Sequence, residues 1–138
     1  MSRLLGLSLL AAMALAAPAR AEMVHFKANL TGAQEVPAKT TTGKGEALAT
    51  LDTATKLLSY TVEYLDLSGP ATAAHIHGPA AAGANAGVLV PFASAASPIS
   101  GSATLTDAQV TDLMAGKMYV NVHTAANPAG EIRGQLEK

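Results

Sequence analysis

From Leu57 to Asp66 the chain reads LLSYTVEYLD, and apolar and polar residues alternate along it. Leu58, Tyr60, Val62 and Tyr64 fall on one side of an extended backbone, and Ser59, Thr61 and Glu63 on the other. Successive side chains of a strand point to opposite faces, so a period of two selects β structure over helix and gives the strand one dry face. The same constraint recurs in VHFKANL (24–30), through Phe26, Ala28 and Leu30. It recurs in GKGEALATLD (43–52), through Ala47, Ala49 and Leu51. A four-residue turn, TATK, separates that segment from Leu57, which predicts a hairpin. Further short extended segments are expected at 72–78, 88–92, 101–105, 117–124 and 131–137, with Gly, Pro and Asn between them. Thr106 and Gln109 are spaced as a capping box, Val110, Leu113 and Met114 follow helical spacing, and Gly116 supplies a stop. The expected fold is all-β: a Greek-key β-sandwich or flattened barrel of about seven to eight antiparallel strands, with one short helix at about 107–115.

The first 21 residues, MSRLLGLSLLAAMALAAPARA, are laid out differently. A basic residue at Arg3 precedes an apolar run, and Ala19-Arg20-Ala21 is a small-x-small cleavage site. This is the pattern of a secretory signal peptide, and the run is too short for a membrane anchor. The expectation is a cleaved segment 1–21 and one domain over 22–138, periplasmic or secreted, with no membrane attachment after cleavage. The remaining 117 residues carry seven basic and ten acidic side chains, a net charge of −3. The lysines are scattered, which excludes a nucleic-acid footprint. There is no cysteine, so thiolate metal sites and cysteine nucleophiles are excluded, and any soft or borderline metal must use imidazole.

The chain has four histidines, and two of them stand in AHIHGPAAAG, at His75 and His77. If Ala74 and Ile76 face the core, both imidazoles face the other way, about 6.6 Å apart along the strand at ~3.3 Å per residue. Rings at that separation can lean onto one ion with bonds of ~2.0–2.1 Å to nitrogen. In YVNVHT (119–124), Val120 and Val122 take the core, which sends Tyr119, Asn121 and His123 outward. In the last strand Ile132 and Leu136 take the core, and Glu131, Arg133 and Gln135 face away. A hairpin of the two with a pairing sum of 256 places His123 directly opposite Arg133. Three imidazoles brought together would form a site with an open position, as catalytic metal centres have. His25 lies off the core face at the start of the domain and reads as surface, with a fourth-ligand role as its minority reading. Glu35 and Glu131 read as salt-bridge or turn residues, or as partners for an imidazole's second nitrogen. Asn85 reads as a turn residue. Arg133 is the one arginine after residue 21, and beside an open metal position it would attract a small anion.

GAQEVP (32–37), AHIHGPA (74–80), YVNVHT (119–124) and PAGEIRGQL (128–136) resemble the motifs of the CHRD family, named from chordin, and they occur in that family's order. The resemblance implies one CHRD domain, in bacteria an exported one. His-x-His on one strand, a later Val-His and a C-terminal Arg are also similar to the copper half of copper/zinc superoxide dismutases. That likeness implies copper ligands at His75, His77 and His123 and a superoxide-guiding cation at Arg133. It lacks a bridging histidine, a zinc set and a disulfide, which leaves a copper-only site. Copper is the expected metal, with zinc the alternative. The expected partners are the ion and a small anion such as superoxide, with or without turnover. A non-catalytic periplasmic copper/zinc module and a metal-free structural or adhesive domain are the competing readings.

Overall fold

A computed structural model describes Ala17 and residues 20–138; most of the expected signal segment, 1–16 and 18–19, lies outside the described residues. The strands are β1 (Met23–Thr31), β2 (Lys44–Asp52), β3 (Leu57–Leu65), β4 (Ala71–His77), β5 (Val88–Pro91), β6 (Ile99–Thr104), β7 (Tyr119–Thr124) and β8 (Ile132–Gln135). One helix, α1 (Asp107–Met114), joins β6 to β7, and a 3₁₀ turn at Gly32–Gln34 follows β1. All eight strands belong to one antiparallel sheet in the order β5-β4-β7-β8-β1-β2-β3-β6. The sheet curls into a nearly closed barrel. Phe92, just past β5, stacks on Tyr60 of β3 at 4.5 Å between ring centroids, and so spans the seam between the sheet's two ends.

The local chemistry accounts for these elements. Asp52 Oδ1 accepts from the backbone of Ala54 and Thr55, and Lys56 takes φ 61°, which folds the expected hairpin so that Leu51 faces Leu58. Thr106 and Gln109 form the reciprocal capping box at the start of α1. Gly116 takes φ 73° just beyond it, as a left-handed stop requires. The helix drops Leu113 fully into the core.

The interior is the apolar set that strand parity assigned. Phe26, Leu30, Leu51, Leu58, Val62, Ile76, Val120, Val122 and Ile132 are each 3% exposed or less. Gly134 lets β8 press against β1: a Cβ there would strike the Asn29 carbonyl.

One register differs from expectation. β7 and β8 pair with Asn121 opposite Arg133 and Val122 opposite Ile132, a sum of 254 and not 256. A slip of two keeps every side chain on its face, so the hydrophobic pattern cannot tell the two registers apart. The turn decides. Glu131 N donates to Val122 O, Gly130 sits at φ 128°, and a Cβ at Gly130 would run into Asn121 and Glu35. Only this closure seats Glu131, which is fully buried and accepts from Thr41 Oγ1, Ser68 N and Ser68 Oγ. Glu131 therefore neither forms a salt bridge nor orients an imidazole; it ties two long loops to the sheet.

Candidate metal centre

β4 and β7 lie side by side, with His75 opposite Asn121, His77 opposite Tyr119 and Ala73 opposite His123. His123 is thus the diagonal cross-strand neighbour of His75, within reach of a ring side chain. Because parity sends Ala74, Ile76, Val120 and Val122 inward, the three imidazoles meet on the opposite face. The centroids of His75 and His77 are 5.3 Å apart, those of His75 and His123 4.9 Å, and those of His77 and His123 6.1 Å.

That face is largely covered, and His75 is the one imidazole of the three that stays partly exposed. His77 is 8% exposed and His123 9%, and every residue of β7 and β8 is buried on both faces. Small-residue loops close over it. His77 Nδ1 lies 3.0 Å from Ala86 O, and His123 Nδ1 lies 3.0 Å from Pro128 O. A carbonyl only accepts, so each Nδ1 carries the proton and each Nε2 keeps its lone pair. His77 Nε2 is buried and has no partner among the described residues. His123 Nε2 faces His75 Nδ1 at 3.0 Å. One nitrogen from each ring lies within 4.8 Å of the others. A tetrahedral ion with bonds of ~2.0 Å to nitrogen sets its ligands ~3.3 Å apart, so a slight inward lean lets one ion bridge them. Burial, and then the neighbouring rings, hold His75 below its ordinary pKa. Burial also lowers His77, with lesser contributions from His123 and Arg133. Both effects favour the neutral, ligating form.

Arg133 is 1% exposed. Its Nη1 donates to Asn85 Oδ1 at 3.0 Å and its Nη2 to Ala84 O at 2.7 Å. Its guanidinium lies over the Tyr119 ring, 3.4 Å from the centroid. Tyr119 in turn stacks on His77 at 4.9 Å with only 3° between the rings. Arg133 therefore braces the Gly78–Gly87 loop and the ring beside a candidate ligand. His25 is exposed, bonds Thr50 Oγ1 at 3.0 Å, and is not a member of the cluster.

Three groups carry more than the sequence disclosed. Glu35 does close a turn, its N–H bonded to Gly32 O, and its side chain, in a residue 7% exposed, also accepts from Asn121 Nδ2. Asn85 does lie in a turn, and it also links Arg133 to Val36 O. Gln135 Nε2 donates to Ala80 O and Gly116 O, both at 2.7 Å. The signal for them was the outward parity of Asn121, Arg133 and Gln135, combined with a Gly78–Gly87 loop whose small side chains let its backbone lie close over that face. A larger hollow of about 460 Å³ over β2, β3, Ser97 and Pro98 contains no histidine.

No curated protein and no solved structure matches the chain. A family model does: the CHRD domain, over residues 26–136.

Proposed function

The chain belongs to the CHRD domain family, and we propose that it is an exported copper-binding protein whose ion is held by His75, His77 and His123. The observation that carries this reading is the pair of rings pinned by Nδ1 to backbone carbonyls, with His123 Nε2 against His75 Nδ1 and His77 Nε2 buried in the same three-imidazole cluster. Metal-ligating histidines are commonly held this way through the second nitrogen. The buried, unpartnered Nε2 of His77 is what a ligand atom without its ion looks like. Imidazole sites take copper ahead of zinc by intrinsic affinity. Bound there, copper supplies one-electron redox chemistry. The chain's own residues hold neutral nitrogens in place, shield His77 and His123 from bulk water and keep the covering loops closed.

Binding is favoured over superoxide turnover. The expected anion guide, Arg133, is buried and committed to Ala84, Asn85 and Tyr119. Elemental analysis of untagged chain purified from its exported fraction should give one copper per molecule. His75→Ala and His123→Ala should each lose it while keeping the wild-type circular dichroism. Equal copper content in wild type and both variants would overturn the proposal. Copper-loaded protein should not speed superoxide decay beyond free protein; acceleration that Arg133→Ala abolishes would restore the dismutase reading.

A further inference from the structure

Tyr119 of β7 is reached from both sides by side chains of the flanking strands. His77, directly across on β4, lies parallel to its ring, with 4.9 Å between centroids and 3° between planes. Arg133 is its diagonal neighbour on β8, and the guanidinium carbon sits 3.4 Å from the ring centroid. The strand order β4-β7-β8 therefore stacks imidazole, phenol and guanidinium, with a candidate ligand at one end and a cation at the other. The phenol supports His77 twice. Its ring lies against the imidazole, and its hydroxyl bonds both N and O of Ala86, whose carbonyl also accepts from His77 Nδ1.

The Arg133 charge has little to offset it. The residue is 1% exposed, so water and salt screen it weakly. Both of its hydrogen-bond acceptors, Ala84 O and Asn85 Oδ1, are neutral, and it takes part in no salt bridge among the described residues. Glu35, the carboxyl that Arg133 does act upon, is raised by burial to about 7 and is mostly protonated at pH 6. The charge is felt at His77, where it opposes protonation. A field that opposes a proton there also opposes positive charge on an ion bound to the same ring, and opposes two charges more than one. The ligand set leans the same way. Cu(II) completes a tetragonal field of donors, whereas the cluster offers three nitrogens, all neutral.

Given the copper reading, on which this rests, we infer that Tyr119 and Arg133 are positioning residues that bias bound copper to the Cu(I) state. Tyr119 fixes the His77 ring, and the buried Arg133 charge behind it disfavours the second charge on the ion. One unscreened charge across an aromatic ring shifts the ratio of Cu(I) to Cu(II) affinity by about tenfold, which is about 59 mV for a one-electron couple. The bias agrees with binding over turnover, since a dismutase must pass through both oxidation states in alternation.

The test is chelator competition on untagged chain at pH 6, where Glu35 carries little charge, with Cu(I) under anaerobic reducing conditions and with Cu(II) in air. Wild type should hold Cu(I) the more tightly. Arg133→Gln, which keeps an amide donor for Ala84 O, should lose about tenfold of that preference, and Arg133→Lys, which keeps the charge, should retain it. A ratio unchanged in Arg133→Gln, or lowered equally in Arg133→Lys, would overturn the electrostatic role and leave copper binding standing. Tyr119→Leu should alter the EPR spectrum of the Cu(II) form, because His77 loses both of its supports; an unaltered spectrum would overturn the part given to Tyr119. Wild type that holds Cu(II) more tightly than Cu(I) would overturn the inference whatever the variants do. Wild type that binds neither ion would overturn the copper reading and this inference together.

Discussion

β3 and β7 are neighbours of the same core and answer to different rules. Along β3 exposure alternates, with Leu58, Tyr60 and Val62 buried and Leu57, Ser59, Thr61 and Glu63 exposed. Along β7 nothing is exposed: Val120 and Val122 face the interior, while Tyr119, Asn121 and His123 lie under loops. The first strand is half of a barrel wall. The second is a wall with a polar room behind it. Burying polar groups is costly unless they are hydrogen-bonded, so the covered face had to be built as a network of named partners. The difference locates function on the face where alternation of burial fails although alternation of residue type persists.

The sharpest way to break the contrast is to remove one side chain from each region. Leu58→Ala, at a fully buried position, should cost about 2–5 kcal/mol of unfolding free energy, while Thr61→Ala on the exposed face should stay within ~0.5 kcal/mol. Urea melts of the metal-free chain measure both. A small loss at Leu58 would mean that the β3 side of the barrel is not tightly packed.

Next comes the brace over the polar room. Arg133→Met should cost about 1–3 kcal/mol, because Ala84 O and Asn85 Oδ1 lose a charged donor. The loss should be local. Hydrogen exchange at Ala86, whose N–H is bonded to Tyr119, should accelerate while amides within β2 and β3 keep their protection. Uniform acceleration across the sheet would show that the loop and the barrel wall open as one unit.

The subtlest effect is a pH dependence of opposite sign to that of most carboxylates. Burial raises Glu35 from 4.5 to about 7, against the opposing pull of Arg133, Lys39 and Asn121. The folded state then binds a proton that the unfolded state releases, so this group's contribution to stability is full below pH 4.5 and is lost as pH rises toward 7. His75 and His77, lowered by burial, act the other way: their neutrality costs stability as pH falls below the ordinary imidazole value. Subtracting the stability profile of Glu35→Gln from that of wild type isolates the carboxyl. The difference should decline between about pH 4.5 and 7; a flat difference would place the Glu35 carboxyl in water.

Much of this was legible because the β period is rigid. Parity alone assigned Ala74, Ile76, Val120 and Val122 to the core and the three imidazoles to one face. It could not assign register, since 254 and 256 preserve the same faces; the choice rests on Gly130 and on Glu131 finding Thr41 and Ser68, 90 and 63 residues away. The covering of the outward face was also hidden. The stretch GPAAAGANAG has no periodicity to read, and its fit depends on backbone carbonyls at Ala80, Ala84 and Ala86 meeting Gln135, Arg133 and His77. Donor-acceptor matches between distant loops leave no local pattern in a sequence.

The sheet ends at β5, four residues long and finishing in Pro91, and at β6, six residues long and entered from Pro98. An incoming strand from another molecule needs a long, flat row of free amides and carbonyls to grow upon. Here the two brief margins turn toward each other, with the Tyr60–Phe92 pair across the gap. A cysteine-free chain is thereby guarded against fibrous self-association by the curl of its own wall, without any covalent cross-link.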